Sequence, residues 1–240
     1  MMSAPERSPE RDAAIEALLP HVPFDGWTLA ALARALAIPR VDAELLFPDG
    51  PAGMVEAFCD LADRQMQAGA AAAGLEGMRL PARVRAVIAL RLAWNRPHKE
   101  AVRRALALLA LRREAGLAAR ITARTVDAIW HAAGDRSADF SWYTKRATLA
   151  GVYMATVLFW LRDDGEDDAA TLAFLDRRLA GVAAFGKMRR RASEMFGRLP
   201  VPSAPRRADQ PAGTTHASSI AMETGPAGGI RPGGRSIGTG

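Results

Sequence analysis

The sequence predicts an all-α fold, and three observations predict it. Alanine, leucine and arginine dominate while β-branched residues are sparse; the first set favours helix and the second strand. Apolar residues recur three and four apart, the spacing of one helical face, and strand signals are nearly absent. Gly and Pro fall between the periodic runs or crowd the C-terminal end, so they punctuate helices rather than interrupt them. Nine to ten helices are expected.

The first spans 9–21, with Ala14, Ile15, Leu18 and Leu19 inward and Pro23 ending it. Thr28 caps the next, "LAALARALAI" (29–38), and a short helix follows Pro39, "RVDAELLF". Together they form an N-terminal helix-turn-helix-like unit, closed by "FPDG" at 47–50, a turn with Pro and Gly as breakers. A long helix over 51–73 opens on Pro51, where a missing N–H costs nothing. Further helices are expected over 81–95, 98–112, 116–134, 139–163 and 169–185, the last two separated by the charged turn "DDGEDD". Ser137 or Asp139 is the candidate cap of the 139–163 helix.

After Gly186 the pattern changes. "KMRRRASEMFGRLP" sets Met188, Ala192, Met195, Phe196 and Leu199 on one stripe, with Lys187, Arg189, Arg190, Arg191 and Arg198 around it. That is a short basic amphipathic helix. Residues 200–240 are Pro, Gly, Ser and Thr with few large apolar side chains, a composition that cannot offset its own ordering entropy. Four segments follow: 1–50 the helix-turn-helix-like unit, 51–185 a helical body, 186–199 the basic helix, and 200–240 a disordered tail.

The 240 residues are 49% hydrophobic and 24% charged, enough for one sizeable core. The net charge of +6 lies wholly in 187–240, where nine Lys/Arg meet three Asp/Glu; residues 1–186 hold 23 of each sign. A nucleic-acid binder carries its excess on the folded face that meets phosphate. Within 28–50 Arg34 and Arg40 are outnumbered by Asp42, Glu44 and Asp49, and the second helix would bring two carboxylates into the major groove. The unit therefore has the shape of a DNA reader without its electrostatics. One cysteine, Cys59, suits a reducing compartment, and the charged N-terminus "MMSAPERSPERD" has no apolar run of a secretory signal.

Nothing resembles an active site. His21, His98, His131 and His216 stand apart, no HExxH or G-x-S-x-G occurs, and the paired Glu-x-x-His of di-iron bundles is missing. No catalytic residue, metal site or cofactor is expected.

The 139–163 helix raises a separate question. With Tyr143 taken as zero and about 100° per residue, Ala147, Ala150, Met154, Val157, Leu158 and Leu161 share its face, the expected core stripe. Trp142, Leu149, Tyr153 and Trp160 form a second apolar stripe. One helix has two faces to cover. Its 15 residues between Arg146 and Arg162 are too few to span a bilayer, which takes about 20. A partner anchored on exposed aromatics is the alternative.

"AGDRSADFSWYTKRATLAGVY", with "TLAFLDRRLAGV" after it and "FPDGPAGMVEAF" before it, resembles the ubiquinone-biosynthesis accessory family called coenzyme Q protein nine, in its bacterial form. The resemblance runs in order over about residues 10–185. It implies a TetR-like all-helical fold, a homodimer, and an accessory role rather than catalysis. It implies an apolar pocket for isoprenoid quinone or phospholipid, assigned here to Met154, Val157, Leu158 and Leu161. It implies a docking patch for the di-iron demethoxyubiquinone hydroxylase at Asp139, Trp142, Tyr143 and Arg146; helical spacing makes Trp142 the outward residue of the pair and Tyr143 the more buried one. It implies a membrane-binding helix at Lys187, Met188, Arg189, Arg190, Arg191, Met195 and Phe196, placing the protein in the cytoplasm, peripheral on the inner face of the membrane. The competing reading is a TetR-type ligand-responsive transcriptional repressor.

Overall fold

The computed structural model describes residues 7–135, 142–165 and 167–196, with backbone alone for Trp142 and 183–196. The candidate caps Ser137 and Asp139, and the tail over 200–240, lie outside the described residues.

Among those residues every regular element is helical. Ser8 caps α1 (Pro9–Leu18), its hydroxyl accepting from Arg11 N at 3.1 Å. Ala14, Ile15, Leu18 and Leu19 are buried, as expected. The helix ends earlier than predicted, and Pro23 does not stop it. Pro23 sits instead in the first turn of a one-turn helix, α2 (Val22–Asp25), where a proline N–H is not needed. Thr28 caps α3 (Leu29–Leu36) by accepting from Ala31 N at 3.1 Å. The chain turns through Ala37, in the left-handed region at φ 54°, and Pro39 into α4 (Arg40–Leu46). Gly50, at φ 57°, makes the second sharp turn and begins α5 (Gly50–Ala72). The body continues as α6 (Leu80–Asn95), α7 (Lys99–Leu109), α8 (Ala115–Ala132), α9 (Trp142–Trp160) and α10 (Ala169–Phe196).

α10 revises one boundary. The helix expected over 169–185 and the basic helix expected over 187–199 are one continuous helix through Phe196. Gly186 lowers helix propensity by about 1 kcal/mol but breaks nothing by itself.

Two apolar clusters make the interior. The first packs α1–α4 onto the N-terminal half of α5 and onto α7, with Ile15, Leu18, Leu32, Phe47 and Met54 fully buried. The second joins α5, α6, α8, α9 and α10 around Met66, Ile88, Ile129, Trp160 and Leu175. α5 belongs to both. Arg64 on α5 grips Asp12 of α1 at 2.6 Å and Asp60 at 3.0 Å, fixing the first helix across it.

The turn between α9 and α10 is held by α7 and the segment before it. Lys99 donates to the Asp163 carbonyl and Arg103 to the Leu161 carbonyl, so two cations cap the C-terminal end of α9. Asp168 is buried, at φ 53°, and accepts from Arg96 and from the Trp160 indole N–H at 3.0 Å. Asp163 accepts from the Thr171 hydroxyl and from Gly165 N, bonds that hold its carboxyl below the usual carboxylate range.

Candidate functional site

Between α5, α6, α7, α8 and α9 lies a cavity of about 300 Å³. Its walls are mostly apolar: Phe58 from α5, Leu92 from α6, Ala105 and Leu106 from α7, Ile121 from α8, and Val157 and Trp160 from α9. Exposure shows which end is open. Leu158 is 56% exposed, Ala110 is exposed, and Leu106, Thr122 and Met154 are half-buried, so the mouth lies between α7, α8 and the middle of α9. Arg91, Asn95, Thr125 and Tyr153 are buried at the closed end.

That closed end is polar. Arg91 Nη1 lies 3.2 Å from Asp63 Oδ1, close enough for charge attraction though not aligned as a hydrogen bond. Arg91 Nε donates to the Tyr153 hydroxyl at 2.9 Å, and the Thr125 hydroxyl donates to Asp63 Oδ2 at 2.9 Å. Burial pushes the Asp63 carboxyl up while Arg91 pulls it down. Burial likewise raises Tyr153 and pushes the Cys59 thiol up to about 12. Both therefore keep their protons at neutral pH, and Cys59 is an unreactive wall of the cavity.

A larger cleft, about 600 Å³, is lined by Gln67, Glu76, Arg83 and His131 among others. Its charged lining makes it a poor host for hydrocarbon.

Met154, Val157 and Leu158, three of the four residues assigned to a lipid pocket, line the cavity; Leu161 is buried in the second core cluster and is not part of the wall. The predicted core stripe of α9 is displaced. Tyr143 is 77% exposed, Leu158 is exposed, and Ala147 is exposed. The buried face is carried by Leu149, Val152, Tyr153, Val157 and Trp160, largely the second stripe. Helical spacing identifies two apolar stripes but cannot say which one meets the body. Here Tyr153 and Trp160 go inside because Arg91 and Asp168 satisfy their polar atoms. Tyr143 is thus exposed, where it was expected to be the more buried of its pair. The Trp142 side chain and Asp139 lie outside the described residues, and Arg146 donates to Asp127 of α8. Lys187, Met188, Arg189, Arg190, Arg191, Met195 and Phe196 all lie on α10, described through its backbone.

Tyr143, Ala147, Gly151, Met154 and Leu158 recur at fours and a three, so exposed Tyr143 and the cavity mouth share one face of α9. Asp63, Arg91 and Asn95 were not singled out from the sequence. The signal was present: Val84, Val87, Ile88, Arg91, Leu92 and Asn95 form the buried stripe of α6, so a cation and an amide stand on its apolar face.

Fold and cavity together define a TetR-like helical body with a mostly apolar cavity inside it. A TetR transcriptional regulator from Nitrosomonas europaea ATCC 19718 aligns with TM-score 0.62 and 25% identity over 73% of this chain and 99% of that one. Residues 115–186, which include α8, α9 and much of α10, match the COQ9 family model. The chain is 31% identical over 185 residues to the ubiquinone biosynthesis protein COQ9, mitochondrial, of Homo sapiens, covering 72% of this chain and 57% of that protein. It is 33% identical over 177 residues to the COQ9 protein of Drosophila melanogaster, covering 70% and 54%. The chain thus carries a COQ9-family domain on a TetR-like fold, bearing out the resemblance drawn from its sequence, and it spans less than two thirds of the length of these relatives.

No described helix is long and apolar enough to cross a membrane, and no group of three His, Cys, Asp or Glu among the described residues could hold a metal ion.

Proposed function

We propose that this protein is a non-enzymatic accessory factor of ubiquinone biosynthesis. It takes an isoprenoid quinone precursor, or a phospholipid, into the α5–α9 cavity and presents it to the di-iron demethoxyubiquinone hydroxylase at the membrane surface. The observation that carries this reading is the shared face of α9: the mouth at Leu158 opens on the same side as exposed Tyr143, so a molecule leaving the cavity emerges along the face proposed to dock the hydroxylase. The relatives named for ubiquinone biosynthesis supply the pathway. At roughly 30 Å³ per water-sized group, the cavity of about 300 Å³ holds about ten carbons. It therefore encloses one end of such a molecule, and the rest leaves by the mouth. The basic end of α10 holds the protein against anionic lipid, and two copies pair through α9 and α10.

The repressor reading has the structural neighbour in its favour. The reading helix it needs, α4, has Arg40 already engaged by Glu44 at 2.9 Å and presents exposed Val41 and Leu45. Those side chains suit phosphate poorly.

The test is lipid mass spectrometry on protein purified without detergent. Co-purifying isoprenoid quinone precursor or phospholipid is expected. A clean extract, with a low-salt shift of upstream DNA, would transfer the chain to the regulators.

A further inference from the structure

The cleft of about 600 Å³ is separate from the apolar cavity. Gln67 and Ala71 of α5, Glu76 of the turn that follows, Arg83 of α6 and His131 of α8 line it. Gln67 and Arg83 stand about two helical turns from Cys59 and Arg91 of the cavity wall. Arg83 is half-buried, and its guanidinium has no hydrogen bond and no ion pair among the described residues; its Nε is shut off from solvent as well. Gly134, at φ 72°, makes room for it, since a Cβ there would lie 2.8 Å from Arg83 Nη1. A guanidinium withdrawn from water without an acceptor is costly, and such a group calls for the acceptor that the fold omits.

The surroundings set the chemistry of that acceptor. Phosphate sites at helix starts are built from free backbone N–H groups, and those near Arg83 are spent. Pro81 has none, and Ala82 N and Arg83 N donate to the Arg79 carbonyl at 2.9 and 3.0 Å. At the end of α8, Gly134 N and Asp135 N are used on the carbonyls of His131 and Trp130. Glu76 places a carboxylate on the same cleft, which opposes a second negative charge on a ligand. We propose that this cleft binds a small-molecule monocarboxylate. The planar guanidinium of Arg83 grips the carboxylate as a fork. Gln67 and His131 bond to the polar remainder of the ligand, and Glu76 turns away doubly charged anions. At roughly 30 Å³ per water-sized group, about 600 Å³ admits a ligand of at most about twenty non-hydrogen atoms. The assignment goes beyond the proposed function and does not rest on it, because none of these residues lines the apolar cavity.

The test uses the full-length protein and follows the arginine Nε–H signals by ¹⁵N–¹H NMR, the Arg83 signal being the one lost in Arg83→Gln. The probes are hippurate, its neutral amide hippuramide, acetate and inorganic phosphate. Hippurate is expected to shift the Arg83 signal and to bind about tenfold more tightly than hippuramide, with phosphate weaker than hippurate. In Arg83→Gln, read through neighbouring backbone amides, the hippurate-to-hippuramide ratio falls below about threefold. Its thermal midpoint stays level or rises, because an unmatched cation has gone. Arg83→Lys keeps the charge without the fork, lowers the same ratio, and carries the test if Arg83→Gln fails to fold. Equal binding of hippurate and its amide overturns the carboxylate anchor. Tightest binding of phosphate overturns the monoanion. An undiminished ratio in both variants removes Arg83 from the site, and an Arg83 signal that neither hippurate nor acetate moves overturns the site itself.

Discussion

Arg91 occupies a core position on α6, between Ile88 and Leu92 on the buried stripe, and Asp63 supplies the opposite charge that makes that tolerable, with the Tyr153 hydroxyl accepting from Arg91 Nε. A buried ion pair is a poor stabiliser against a well-packed apolar pair, yet breaking it is expensive. Asp63→Ala strands the guanidinium, removes the partner of the Thr125 hydroxyl and opens space beside the cavity. A loss of about 3–5 kcal/mol is expected in urea unfolding, whereas Asp63→Leu with Arg91→Met together should recover most of it. Equal losses in single and double variants would show that volume rather than charge governs the site. This pair was legible only as an anomaly. Arg91 falls on an apolar face, but its partner lies 28 positions earlier in the chain, on α5, and nothing local to either residue joins them. Pairing of side chains across helices is a tertiary fact, and the spacing of one helix does not contain it.

At the scale of the element, α9 tests what periodicity can deliver. Helix type, and its end near Arg162, follow from composition and from the turn "DDGEDD". Its rotation about its own axis does not, because apolar residues cover more than half the circumference and both faces need a neighbour. Tyr153 and Trp160 are buried with hydrogen bonds to Arg91 and Asp168, whereas Tyr143 is 77% exposed. The same rotation gives the proposed docking face its chemistry. Tyr143→Ala removes a large exposed ring, so unfolding stability should change by no more than about 0.5 kcal/mol. Binding to the hydroxylase, measured by pull-down or interferometry with purified partner, should weaken by about tenfold or more if the ring is an anchor. An unchanged affinity beside an unchanged melting curve would take Tyr143 out of the interface. α10 makes the complementary point about boundaries: the switch from neutral to basic sequence at Gly186 is real, but the helix continues through it.

Across the whole molecule, charge and cavity are separated along the chain. Residues 1–186 are neutral in sum and contain the cavity and the proposed docking face, while the excess of +6 begins with α10's last turns. A helix-turn-helix-like unit without basic excess, mounted on a body with a chamber, keeps the form of a regulator while its positive charge lies at the other end. If that charge serves a membrane, its effect must be additive and salt-sensitive, since each Lys or Arg near an anionic surface contributes about 1 kcal/mol and is screened within about 8–10 Å. Replacing Arg189, Arg190 and Arg191 together by Gln should therefore weaken binding to vesicles of one part phosphatidylglycerol to three parts phosphatidylcholine by about 3 kcal/mol, roughly a hundredfold. Raising the salt should produce a similar loss in the unaltered protein and little in the variant. Binding of an isoprenoid quinone precursor in solution should be the same for both, because the cavity residues come from α5 to α9. If vesicle binding survives the triple change, contact with lipid does not depend on the arginines of α10, and some other surface must hold the protein to the bilayer.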